Sequence, residues 1–178
     1  PWSRWGFEVD PVRDGVVVRQ WARIGPGRSG LSLAIDAMPD REARMEEFFF
    51  DAAARLPQCR FLLGGSGWQD KPMPPNVARV GHVYTRDHNA FHSSTRAVLN
   101  ISRESMARYG YSPATRVFEA AGAGACIVTD AWEGIELFLE PGAEVLVAQD
   151  GAEVAAHAAA LTPKRAREIG MRGRRRIL

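Results

Sequence analysis

The chain has 178 residues, of which 46% are hydrophobic and 25% charged, with a formal net charge of +2. These are the proportions of a globular protein with room for one ample domain. No apolar run could span a bilayer and no signal peptide opens the chain, so the expected location is cytoplasmic, and Pro1 in place of Met reads as a fragment or processed form. The charge is uneven. From Pro163 onward Lys164, Arg165, Arg167, Arg172, Arg174, Arg175 and Arg176 face one acid, Glu168, while the rest of the chain is net acidic. Such a tail reads first as the solvated face of a terminal helix. A nucleic-acid role ranks last, because no aromatic stacking pattern accompanies these arginines.

Residues 1–30 form an irregular segment or linker: Trp2, Trp5, Phe7 and Trp21 lie among Arg, Gly and Pro, and only Val16-Val17-Val18 is strand-like. Residues 31–178 form the domain. Leu31–Ile35 is a predicted strand, and Pro39-Asp40 opens a helix to Arg55 with Met45, Phe48, Phe49 and Ala52 on its apolar side. Strands are expected at Arg60–Gly64, Val77–Val83, Ala97–Ile101, Cys126–Thr129 and Glu144–Ala148. Helices are expected at Asp87–Ser94, Ser112–Gly124, Gly134–Leu139 and Ala152–Leu161, with a basic helix closing the chain. Strands alternating with helices imply an α/β fold, a Rossmann-like parallel sheet flanked by helices. Cys59 and Cys126 each begin a buried strand and read as packed thiols in a reducing compartment.

The stretch Gly110–Ala125 organises the rest. Ser112-Pro113 reads as a helix opening, a hydroxyl cap followed by a proline whose missing N–H costs nothing. Val117, Ala120, Ala121 and Gly124 share a small-residue side that lets the helix lie close on a sheet, and Glu119 is the one acid. Strand, loop, helix start, small-residue helix and strand together can hold a phosphate. An ordinary crossover helix with a surface Glu fits the same residues.

Ligands of open parallel sheets bind beyond the carboxyl ends of the strands. That rule selects the loops Ala37–Asp40, Gly64–Trp68, His82–Arg86 and Ser102–Pro113. Gly64-Gly65-Ser66-Gly67 lets backbone approach a ligand, with Gly65 at its centre. It is not a Walker loop, lacking a following Gly-Lys-Ser/Thr, and a proline loop rather than a helix follows it. The Ser102–Pro113 loop carries Arg103, Arg108, Tyr109, Tyr111 and Ser112 ahead of a helix start, a combination suited to a diphosphate. Pairing of these arginines with Glu104 or Asp130 is the alternative. The four histidines, His82, His88, His92 and His157, form no constellation; His82, at a strand end, is the one kept near a ligand, and His157 is expected to be solvated. Asp130 and Glu133 follow a strand at the same edge, where an acid–base role is open. No metal-ligand spacing is present, so no metal site is expected.

These runs, FLLGGSGW, PPNVARVGHVYTRDH, LNISRESM, GYSPATRVFEAAGAGACIVTDAWEGIE and FLEPGAEVLVA, resemble the spore-maturation (CgeB-like) family of glycosyltransferases over Pro39–Leu178. The resemblance implies the carboxyl-terminal, donor-binding half of a GT-B fold, a group 1-like domain that holds a nucleoside diphosphate sugar and needs no metal or further cofactor. It implies that Glu119 holds the donor ribose, and that Ser112, Pro113, Ala114, Thr115 and Arg116 hold the diphosphate with Arg103. The loop at His82 and Val83 would line the base. Arg103 and helix N–H groups would then offset charge on the leaving diphosphate, making Arg103 the catalytic candidate. Many group 1 enzymes carry a second Glu eight positions before the ribose Glu; Tyr111 stands there. Residues 1–37 carry no resemblance, and the amino-terminal acceptor domain of a GT-B enzyme is missing, so the isolated chain is expected to bind nucleotide weakly and transfer nothing. A non-catalytic binding or interaction module and half of a sugar-nucleotide epimerase are the alternatives.

Overall fold

The structure, a computed structural model, describes residues 32–36 and 42–178. The irregular segment 1–30, the loop Ala37–Asp40 and the helix opening at Pro39-Asp40 therefore lie outside the described residues. Six strands, β1 (Ser32–Asp36), β2 (Arg60–Gly64), β3 (Val77–Gly81), β4 (Ala97–Asn100), β5 (Ile127–Asp130) and β6 (Leu146–Ala148), form one sheet in the order β3-β2-β1-β4-β5-β6. Every pairing is parallel, with Ser32–Asp36 running beside Arg60–Gly64 and Leu33-Ala34 beside Ala97-Val98. The chain builds outward from β1 to β3, returns to β4 and continues the other way. The order thus reverses between β1 and β4, and in open sheets of this kind the ligand crevice lies at that point, beyond the carboxyl ends of the strands.

Successive strand residues point to opposite faces, and both faces are buried. Leu33, Ile35, Phe61, Leu63, Leu99 and Val128 pack with Phe48, Phe49, Val154 and Ala158. Val98 and Ile127 pack with Val117, Ala120 and Ala121, and Leu62 with Val83 and Phe91. The first face is covered by α1, which runs through Glu42–Met45, a π-helical turn Glu46–Phe50 and Asp51–Arg55, and by α5 (Gly151–Ala160). The second face is covered by α2 (His88–Ser93) and α4 (Thr115–Gly122), with α6 (Pro163–Ile177) packed beside α4. Phe48, Phe49 and Phe50 are all buried, and Phe49 meets Phe61 edge-on at 5.6 Å between ring centroids. Each such ring contributes about 1.5–3 kcal/mol by burial.

Several elements differ from the sequence reading. The expected loop Ser102–Pro113 contains a helix, α3 (Glu104–Tyr109), because its middle residues are good helix formers and Gly110 ends it. α4 begins at Thr115 with Ala114 as its N-cap and no side-chain cap, so Ser112 does not cap it and Pro113 lies before its first turn. The expected helix Gly134–Leu139 is a single 3₁₀ turn, Ile135–Leu137, entered from Gly134 at φ 95°. His157 is half-buried rather than solvated, its Nε2 lying 2.9 Å from the Val147 carbonyl oxygen. The basic helix exposes Lys164, Arg167, Arg172 and Arg175 as expected, but Arg174 is 5% exposed and donates to the Gly122 carbonyl at the end of α4. Cys59 and Cys126 are buried free thiols; burial pushes Cys126 up to about 12.

Candidate functional site

The carboxyl ends of β4 and β5 are tied together by Asp130. This side chain is fully buried, and its Oδ1 accepts from the Ser102 N–H at 3.0 Å and the Ser102 hydroxyl at 3.1 Å. Its Oδ2 accepts from Arg44 Nη2 of α1 at 2.6 Å, while Arg44 Nη1 stands 3.5 Å from Glu104. Asn100 Nδ2 donates to Thr129 Oγ1 at 3.0 Å in the same network. A buried carboxylate with this set of partners is a clamp, and its lone pairs are engaged. The acid–base role left open for Asp130 is corrected accordingly, and its partner is Arg44, not an arginine of the Ser102–Pro113 segment.

Arg103 leaves the end of β4 exposed, at the N-cap of α3, beside the reversal of strand order. Gly110 and Tyr111 then bind back on the segment after β5. The Tyr111 N–H donates to the Glu133 carbonyl oxygen at 2.7 Å, and its hydroxyl donates to Glu133 Oε1 at 2.9 Å. This hydrogen bond, with the Glu133 charge, raises the Tyr111 phenol above its ordinary range. Tyr111 is itself at φ 51°, exposed, with its ring over Gly134. Ser112 and Thr115 are exposed, Pro113 and Arg116 half-buried and Ala114 buried, so the approach to α4 presents two hydroxyls and a guanidinium at the carboxyl edge of the sheet.

One turn into α4, Glu119 is exposed and faces α2. Its Oε2 lies 3.5 Å from His88 Nδ1, and one ligand atom each of His88, His92 and Glu119 lie within 4.8 Å of one another. This corrects the reading that the histidines form no constellation. The available signal was the four-residue spacing of His88 and His92 on one helix, which puts both rings on the same side. His92 is 2% exposed, and burial, with Arg116 and His88 adding, pushes its imidazole down to about 3.

The remaining candidates stand farther along the edge. Gly65 follows β2, one strand from the reversal, and lines a concavity of about 230 Å³ with Trp68, Gln69, Arg79 and Gly81. Arg79 Nη1 donates to the Trp68 carbonyl at 2.5 Å and to that of Gln69, fixing this loop. His82 follows β3, exposed, edge-on to Tyr84 at 4.6 Å. Val83 is 4% exposed in a cluster with Leu62 and Phe91, so only its backbone can line a ligand; its carbonyl oxygen lies 3.3 Å from His88 Nε2. Among the described residues no helix is long and apolar enough to cross a membrane.

Comparison with solved structures places this geometry among GT-B glycosyltransferases. A sucrose-phosphate synthase from Thermosynechococcus elongatus superposes with a TM-score of 0.69 at 19% identity, over 90% of this chain and 43% of that one. The Anabaena protein HepE, in complex with UDP-glucose, gives a TM-score of 0.68 at 13% identity over 89% and 46%. The C-terminal domain of a group 1 glycosyl transferase from Francisella tularensis gives 0.60 at 12% identity, over 89% of both chains. The chain thus spans less than half the length of the first two. No curated protein matches it. A family model described as glycosyl transferase-like matches residues 41–178, and with the parallel sheet and its crevice this makes the chain a member of the glycosyl transferase-like family.

Proposed function

We propose that this chain is the carboxyl-terminal, donor-binding domain of a glycosyltransferase that moves a sugar from a nucleoside diphosphate sugar to an acceptor. The observation that carries the reading is the placement of Glu119 and the uncapped start of α4 beside the reversal of strand order, with Arg103 on the adjoining strand end. Glu119 holds the donor ribose. Ser112–Arg116 and the first N–H groups of α4 hold the diphosphate with Arg103, and the backbone at Gly65, His82 and Val83 lines the base. Tyr111, anchored on Glu133, takes the place of a second carboxylate toward the sugar. During transfer the bond between the anomeric carbon and the diphosphate oxygen breaks, and its electron pair leaves with the diphosphate. Arg103 and the helix N–H groups offset that charge in place of a metal.

The structure of HepE with UDP-glucose favours a uridine donor. The sequence runs FLLGGSGW and GYSPATRVFEAAGAGACIVTD favour the spore-maturation (CgeB-like) branch of the family, and a cytoplasmic site of action accords with it. The acceptor and the group that deprotonates it belong to a second domain, so the chain alone binds nucleotide without turnover. That the chain spans 43% of the sucrose-phosphate synthase favours this division, and equally a second reading as a nucleotide-sugar-binding module.

Calorimetric titration with UDP, GDP, ADP and dTDP tests the proposal. Saturable binding to one of them is expected, weakened about 10- to 100-fold in Glu119→Ala, corresponding to the ~1.5–3 kcal/mol of hydrogen bonds to a charged group. Absence of binding to all four, or binding indifferent to Glu119→Ala and Arg103→Ala alike, would overturn it.

A further inference from the structure

We propose that, in the chain free of donor, His88, His92 and Glu119 form a site for one divalent transition-metal cation of the zinc class, the Glu119 carboxylate serving either the cation or the ribose. α2 puts the two imidazoles on one side, with ring centroids 5.8 Å apart, and α4 brings Glu119 across to them. The three ligand atoms lie within 4.8 Å of one another. Metal–ligand bonds of ~2.0–2.1 Å require about 3.3 Å between tetrahedral ligands, and His88 Nδ1 and Glu119 Oε2 already stand at 3.5 Å.

Two features point to a cation. First, His92 is 2% exposed and neither of its ring nitrogens has a hydrogen-bond partner. A buried polar ring left in that condition is costly, and coordination would satisfy its acceptor nitrogen. Second, His88 Nε2 lies 3.3 Å from the Val83 carbonyl oxygen, a geometry that places its N–H on that carbonyl. In the neutral ring this leaves the Nδ1 lone pair facing a carboxylate oxygen, two acceptors in opposition, and a cation between them relieves it. The same carbonyl contact is the outer support that metal-binding histidines use to fix their tautomer. Two imidazoles and one carboxylate suit zinc or cobalt and leave a fourth position open, whereas magnesium and calcium favour all-oxygen sets. Arg116 adds positive charge near His92.

The test uses the tag-free, chelator-treated chain without nucleotide, so that it stands apart from the donor reading. Zinc is followed by calorimetry and cobalt by its visible absorption. One equivalent of each is expected to bind, with cobalt showing the intense bands of a tetrahedral site. His88→Ala and Glu119→Gln, both at partly exposed positions, should each weaken zinc by more than the ~10- to 100-fold that loss of an outer-shell partner costs. Circular dichroism checks their fold, and His157→Ala should bind as the parent does. No stoichiometric binding, or binding unchanged in both His88→Ala and Glu119→Gln, would overturn the proposal. A protonated His88 paired with Glu119 predicts that null result.

Discussion

The imidazole of His92 ties stability to pH. Its value is pushed to about 3 in the folded chain, chiefly by burial, against 6.5 when exposed. Between those values the unfolded chain holds a proton that the folded chain refuses. The contribution is therefore intact above pH 6.5 and is lost as the pH falls from there toward 3, at up to ~1.4 kcal/mol per pH unit. Urea midpoints measured in chelator should decline on acidification from pH 7 to 5 in the parent and decline less in His92→Gln. None of this was legible in the sequence, where His92 is a polar residue on a short helix. What buries it is α4, contributed by residues more than twenty positions later. Glu119, by contrast, stood out as the one acid in a run of small residues, and the fold sets it on α4 facing His88 of α2.

At the scale of elements, α6 shows how a helix can be legible in outline and opaque in detail. Its Pro163 start and basic run mark a terminal helix with a wet face, and Thr162 caps it through the Arg165 N–H at 3.1 Å. Which cation turns inward is decided elsewhere, since Arg174 is chosen by the free carbonyl of Gly122 at the end of α4. Gly170 is likewise set by its neighbour: a Cβ there would fall 2.1 Å from the Gly124 carbonyl oxygen. Alanine in mid-helix ordinarily gains up to ~1 kcal/mol over glycine. Here backbone must move, so Gly170→Ala is expected to lose about 1–3 kcal/mol in chemical denaturation, the cost of overpacking. The start of α4 was misplaced for a related reason. Ser112-Pro113 is a sound local signal, but the course of the chain is set by the hold of Tyr111 on Glu133, a contact spanning 22 residues.

For the molecule as a whole, the alternation of strands and helices was enough to infer a parallel sheet, and the six strands follow that pattern. Their spatial order was not readable, because apolar strands of similar length carry no label for their neighbours. The order is nonetheless what creates the crevice, and the Asp130 clamp is what holds its two sides in register. Arg44 and Asp130 meet across 86 residues of chain. Removing Arg44 leaves the fully buried Asp130 carboxylate without its cation, so Arg44→Met should cost about 3–5 kcal/mol in urea or guanidinium unfolding. The loss should exceed that of Asp130→Asn, after which the partly exposed Arg44 keeps Glu104 beside it.

The segments 110–111 and 133–134 are built as reciprocal halves of one knot. A Cβ on Gly110 would lie 2.8 Å from that of Glu133, and one on Gly134 would lie 2.6 Å from the Tyr111 ring. Each glycine is small for the sake of the other segment's side chain. Each is held twice over, since both glycines also sit at positive φ, 65° and 95°, where a side chain is strained whatever lies opposite. The two segments therefore hold their shape as a unit, and a change on either one is felt by the other.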